Sequence, residues 1–460
     1  MGNFFANAVM AGWIPAILLL FPTVTPRRRG VIGAFLLATL FLPMMQIKLA
    51  AGVPVFDKTS ATCLGILLAM FLFDIDTLLR FRPSLCDLPM VVWCLCPMAS
   101  SLSNDLGVHD GAAEAFRQTV TWGLPYLIGR IYFRNAEELR ELAIGIFAGG
   151  LLYVPFCLWE MRVSPQLHLT VYGFMQHSFR QTIRFGGYRP MVFMQHGLMV
   201  GLWMCMAALV GLRLWVSHSV RQLPGIHIGW PTLLLLATAI LCKSTGAIVL
   251  LMLGAAALSA PRWMNRSLPI YCLAAVAPLY IALRASCELS GEWLASASTQ
   301  VVGADRSQSL AFRFDNENQL IAKAMQQPLF GWGGWGRSRI YDQYGNDKSI
   351  TDGEWIIAIG TNGILGVSAL YLALLLPVII VVARGATSLS ANEKDFAPVL
   401  ALAMVVLLYG IDCLMNAMLN PMYCLAAGGL ATLSASVRVQ GALPASSVPA
   451  RNSHSVYAEA

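Results

Sequence analysis

Arginine carries the clearest chemical signal in this sequence. Between Glu160 and the apolar run that opens near residue 191 stand Arg162, Arg180, Arg184 and Arg189, with His168 and His177 and without any Asp or Glu. A planar guanidinium grips two phosphate oxygens at once and stays charged at any working pH, so this stretch reads as an anion site suited to a diphosphate. Contact with lipid headgroups is the plainer use of the same charges. Within it, RFGGYRPMVFMQHGL (residues 184–198) sets Gly186 and Gly187 between two arginines, where glycine permits a tight turn and close approach to a ligand. Pro190 suits the first turn of the helix expected next. His196 then falls about two turns into that span, as a packed or hydrogen-bonded histidine or as a sugar or lipid contact.

A second set of residues follows. Leu310, Phe314, Ile321 and Met325 recur at helical spacing and stop at Pro328, which predicts an amphipathic helix lying on the membrane or on a bundle. Arg313 is on that helix, with Glu317 one turn later as a surface partner or Arg313 free for a ligand. GWGGWGRSR (331–339) lacks the Gly-Lys-Ser/Thr of a nucleotide phosphate loop. Its Trp332 and Trp335 offer indole faces to sugars or lipid, or form an interfacial aromatic belt, and Arg337 adds a cation. TDGEWIIAIGTNGILG (351–366) then places Asp352 and Glu354 at a helix mouth, as a base or as helix caps. The candidates are therefore Asp352, Arg313 and Glu354 for catalysis, and Arg184, Arg189, Arg313 and Arg337 for a diphosphate. Trp332, Trp335 and His196 are candidates for sugar or lipid contact. No metal site and no cofactor is expected.

What must position these residues is a membrane bundle. Of the 460 residues, 57% are hydrophobic and 12% charged, against roughly a quarter charged in soluble domains, so no large soluble core remains. Apolar segments lie at about 4–24, 31–50, 60–79, 88–105, 112–131, 139–160, 191–212, 228–243, 245–261, 267–285, 353–383, 397–418 and 421–437. The fold class expected is an all-α polytopic membrane protein of about thirteen transmembrane helices, with twelve as the alternative, spanning residues 1–437.

Arg27, Arg28 and Arg29 follow the first segment and no basic residue precedes it, the reverse of a cleavable signal, so the N-terminus is expected outside. Alternate connections then carry the basic residues: Arg80 and Arg82; Arg130, Arg134 and Arg140; Arg213 and Arg221; Arg262 and Arg266; Arg384 and Lys394. The short connections opposite hold only Lys48, Lys58 and Lys243. The net charge of +7 thus reads as an orientation code, with no nucleic-acid partner. Long connections at about 161–190 and 286–352 are expected outside, and 438–460 as a disordered cytoplasmic tail. The eleven cysteines show neither a disulfide framework nor zinc spacing and are read as packing residues. Glu114 and Arg117 are expected to pair facing the bundle, with Asp74, Asp76, Asp412 and Asn416 lining its interior or an interface.

Over roughly residues 180–430 the order of features resembles the O-antigen ligase and polymerase superfamily, membrane glycosyltransferases that use undecaprenyl-diphosphate-linked glycans. The resemblance lies in the arginine and glycine turn of 184–190 and in KSTGA at 243–247. It continues in Arg313 followed by an amphipathic helix, Pro328 and spaced glycines at 331, 333 and 336, and then in Trp355, Gly363 and Gly366. Asp352 and Gly353 stand where the family has His-Asn. The resemblance implies a metal-free transfer from an undecaprenyl-diphosphate-linked donor to a glycan or lipid-linked acceptor at the outer face of a bacterial inner membrane. The missing histidine turns the expectation from a lipid A-core ligase toward a polymerase of exopolysaccharide or O-antigen units. A lipid-linked glycan transporter or flippase is the rival from another class.

Overall fold

The computed structural model describes residues 2–48, 55–223, 225–259, 267–286, 304–388 and 393–440. Arg262, Arg266, residues 287–303 of the second long connection and the tail from residue 441 lie outside the described residues. The chain is mostly helical. Each of the thirteen apolar segments coincides with helix over much of its length, because a long apolar run can satisfy its backbone only within itself. Among the described residues, seven helices are long and apolar enough to cross a membrane: those within Phe4–Thr23, Leu85–Ser103, Ala136–Arg162, Gly197–Val216, Leu268–Ala285, Glu354–Arg384 and Lys394–Asp412. Side-chain caps mark several helix starts. Asn3 and Asn135 each accept a first-turn amide, and Asp57 with Ser60 closes a capping box.

Burial orders these helices. The apolar window of Gly197–Val216 is 83% buried and forms the centre, whereas those of Phe4–Thr23 and Leu268–Ala285 are 22% buried and form the rim. Rim side chains such as Phe4, Leu19, Phe71, Leu95 and Leu279 are nevertheless apolar and exposed, which suits a lipid surround and not water.

Helix termini from distant parts of the chain meet. Arg28 pairs with Glu141 at 2.8 Å, Ser219 donates to the Lys394 carbonyl and Arg384 to that of Ser434. The deepest of these contacts is Arg130, 4% exposed, whose Nε and Nη2 grip the two oxygens of Asp87 at 2.6 and 2.8 Å. Its Nη1 donates to Thr432 at 2.7 Å, and Tyr126 donates to Asp87 at 3.0 Å. Arg28, Arg82, Arg130, Arg140 and Arg384, from connections expected to be basic, take part in contacts of this kind.

The long helix Glu354–Ser388 is broken at Gly363, whose φ of +65° and ψ of −166° suit glycine alone. Residues 328–333 fill the break. Trp332 and Gly333 donate backbone N–H groups to the carbonyls of Gly360 and Thr361 at 2.9 and 3.0 Å, and Ile364 donates to Pro328 at 2.8 Å. Ser100 and Asn104 complete the set through the carbonyls of Thr361 and Gly331, both at 2.8 Å. Irregular backbone at such depth is tolerated because protein groups replace every lost helical bond. A Cβ on Gly363 would lie 2.4 Å from the Leu329 carbonyl. Gly363→Ala is therefore expected to cost about 3 kcal/mol or more from strain and collision. An unchanged unfolding midpoint in detergent would show that the loop does not dock there.

Several expectations are corrected. Residues 191–196 are not helical: Glu160 accepts the amides of Met191 and Val192 at 2.8 and 2.7 Å and Tyr153 accepts that of Phe193 at 3.0 Å, so the helix starts only at Gly197. Pro190 consequently precedes the helix by several residues, and His196 caps it. Asp74 and Asp76 lie at the end opposite to Asp412 and Asn416. Asp74 is bonded there to Tyr132 and Thr77, and Asp76 is exposed. Glu114 and Arg117 do pair, at 2.7 Å, but only the glutamate is buried. The last helix, Pro421–Gln440, runs past the expected start of the tail. The ten described cysteines are free, and all but Cys272 are buried.

Candidate functional site

The arginine and glycine motif folds as a hairpin. Ile183–Arg184 pairs with Gly187–Tyr188 around a two-residue turn in which Phe185 and Gly186 both have positive φ, +50° and +65°. A tight turn of this hand needs a glycine. The bare face of Gly187 meets a neighbour rather than a ligand: a Cβ there would lie 2.4 Å from Lys243 Nζ.

Lys243 grips this hairpin from two sides. Its Nζ donates to the Arg184 carbonyl at 3.1 Å, and its own carbonyl accepts Arg189 Nη2 at 3.0 Å. Its positive φ of +53° is a strained conformation for a lysine, held by these contacts. The two motifs KSTGA and RFGGYR are thus one structural unit. Lys243→Met should loosen the hairpin without unfolding the bundle, costing roughly 1 kcal/mol, since the bonds of its ammonium are exposed. Faster amide exchange at residues 184–189 at an unchanged global midpoint would report it; wild-type exchange would refute it.

Arg189 is 7% exposed, and burial together with the nearby Arg184 charge lowers its pKa to about 10. Beside it, His196 Nδ1 accepts the Leu198 amide at 3.0 Å, which leaves its proton on Nε2, facing Gln181 Oε1 at 2.8 Å. Burial, and less strongly His177, Arg189, Arg184 and Arg313, push its pKa down to about 4 and keep it neutral. His177 packs edge-on against it with ring centres 4.5 Å apart. Arg313 is the smallest of these influences, and it puts the second long connection within electrostatic range of the first.

Arg313 is on the helix Ala304–Ala324 and pairs with Asp352 at 3.1 Å, both side chains about one third exposed (33% and 38%). Its Nη1 also reaches the Met415 carbonyl at 3.4 Å, and Asp412 lies within its electrostatic range, itself bonded to Asn416 at 2.9 Å. Asp352 reaches this place because the Glu354 amide bonds to the Cys413 carbonyl at 2.8 Å and Gly353 passes so close to Leu414 that a Cβ would lie 2.3 Å from its carbonyl oxygen.

Glu317 does not pair with Arg313 on the surface. It turns inward, 7% exposed, and accepts from Tyr280 at 2.9 Å and Arg284 at 3.2 Å. With Phe314, Leu320, Ile321 and Ala324 it forms the buried face of its helix, and this fixes where Arg313 points.

The remaining candidates make other contacts. Arg337 pairs with Asp110 at 2.8 Å. Trp332 donates its indole N–H to the Lys323 carbonyl at 2.8 Å and carries the Lys323 ammonium over its ring at 4.0 Å, so that face is not open to a sugar. Trp335 is 66% exposed. Glu354 begins its helix beside Cys413. Arg162, Arg180 and Arg184 are exposed, whereas His168 is buried between the Met44 amide and the Phe174 carbonyl.

Sequence reading missed Glu160, Lys243 and Arg284 as builders of the site. A glutamate at the end of an apolar run beside an acid-free basic stretch was a usable signal for Glu160; the other two depend on contacts distant in sequence. No family model matches this chain, and no curated protein matches it in sequence.

Proposed function

We propose that this chain is a polytopic inner-membrane glycosyltransferase of about thirteen spans, N-terminus outside, that polymerises a surface polysaccharide. It would transfer glycan from undecaprenyl diphosphate to a saccharide hydroxyl at the extracytoplasmic face. What supports this reading is the Arg313–Asp352 pair at 3.1 Å, with the Arg313 charge reaching His196, on which Arg189 and Arg184 also act.

In the reaction the acceptor oxygen attacks the anomeric carbon, the bond from that carbon to the diphosphate oxygen breaks, and its electron pair leaves on the diphosphate. Arg189, Arg184 and Arg313 stabilise the charge that grows there, more in the transition state than in the bound donor. Asp352 is the counterion of Arg313. The diphosphate takes over that role and frees the carboxylate to accept the acceptor's proton. Glu354 is the second carboxylate for the same task. Arg337, committed to Asp110, supports the second long connection rather than the donor.

A transporter would line a central passage with charge. The central helix here, Gly197–Val216, buries only apolar and small residues, and the arginines gather at the ends, which supports an enzyme. The family's histidine position, held here by Asp352 and Gly353, favours a polymerase over a ligase to lipid A-core. Purified protein with lipid-linked repeat units in detergent, where no second compartment exists, is expected to lengthen the glycan. Absence of elongation would overturn the reading, and transfer only to added lipid A-core would make it a ligase.

A further inference from the structure

The arginine cluster holds three buried side-chain atoms without a hydrogen-bond partner among the described residues, Arg189 Nε, His177 Nδ1 and the acceptor Gln176 Oε1. Their neighbours are already engaged. His196 uses both ring nitrogens, Arg189 Nη2 is on the Lys243 carbonyl, and the Gln176 amide nitrogen is shared between the carbonyls of Val192 and Met194. A buried donor left unsatisfied is costly, and Arg189 Nε, together with His177 Nδ1 in the tautomer that carries its proton there, calls for an acceptor that no described residue places on it. The arginines that act on His196 are Arg189, Arg184 and Arg313, and residues 161–190 contain no carboxylate. An anion with several oxygens is the chemistry that fits.

We propose that His177 is a direct ligand of the bound diphosphate, its Nδ1–H donating to a phosphoryl oxygen while Arg189 Nε–H donates beside it. The proposal rests on the diphosphate reading given above and adds to it a residue that contacts the leaving group. His177 is held for this by its edge-on packing against His196, which is itself locked to Gln181 and to the start of the central helix. No proton is transferred from the histidine: the diphosphate departs as the anion, and the hydrogen bond strengthens as its charge grows.

The test compares full-length wild type, His177→Ala and His177→Asn in detergent, measuring the affinity for undecaprenyl diphosphate and then elongation. Asparagine places an N–H close to where the imidazole Nδ1–H stands. His177→Ala is expected to weaken binding roughly tenfold or more and to lower kcat/KM in parallel, His177→Asn to restore most of both, and all three proteins to share one unfolding midpoint. Wild-type affinity retained by His177→Ala overturns the role of the histidine alone. A folded wild type without affinity for undecaprenyl diphosphate overturns the diphosphate reading and the histidine with it. Equal competition by phosphatidylglycerol would assign the nest to ordinary headgroups and also overturn the proposal.

Discussion

Arg313→Ala is expected to abolish chain growth, with elongation falling by about 10²–10³-fold while the protein stays folded. The size follows from its position. Arg313 is the guanidinium that joins the second long connection to the cations of the first, and it faces the carboxylate proposed as base. Folding should survive, because its helix is anchored by Phe314, Glu317, Leu320 and Ile321, and Arg313 itself is one third exposed. Arg313→Lys should recover only part of the rate, since a point charge lacks the fork that holds two oxygens. The measurement is the rate of elongation of lipid-linked repeat units, with the unfolding midpoint as the control for structure. Normal product from the alanine variant would remove Arg313 from the site.

Asp87→Ala is expected to have the largest effect on stability, about 3–5 kcal/mol, because it strands a buried guanidinium. The side chains of Arg130 and Asp87 are 3% and 11% exposed, and every nitrogen of the guanidinium is engaged, on Asp87, Thr432, Ser84 or the Arg82 carbonyl. This network joins the helices Leu88–Ser103, Leu124–Tyr132 and Pro421–Gln440. Replacing both partners, Asp87→Leu with Arg130→Met, should recover much of the loss, since no uncompensated charge is left behind. Chemical denaturation in detergent checks both variants. A wild-type midpoint for Asp87→Ala would mean that the pair does not hold the bundle together.

The helices were legible in the sequence because a long apolar run leaves the backbone few other options. Legibility failed where tertiary contacts overrode local pattern. Residues 191–196 look like the start of a helix, yet a carboxylate at the end of the preceding helix takes their amides. The Gly363 break hinges on bonds from residues 328–333, and only the glycine hinted at it. In the site, Arg184, Arg189, Arg313 and Asp352 were each recognisable by type, but spacing suggested Glu317 as the partner of Arg313. The true arrangement exchanges partners, Arg313 with Asp352 and Glu317 with Arg284, because Glu317 lies on the buried face of its helix where only another charge could balance it. Trp332 illustrates the opposite error: an indole in a glycine-rich loop invites a sugar, but its ring and its N–H are both taken by Lys323.

The measurement that bears most directly on the site is photolabelling with an undecaprenyl diphosphate analogue whose reactive group adjoins the diphosphate, followed by mapping of the adducts. Adducts in both the 183–190 hairpin and the turn of helix around Arg313, each suppressed by unlabelled undecaprenyl diphosphate, are the expected result. Competed labelling confined to one of these segments, or to neither, would contradict a single diphosphate held between them.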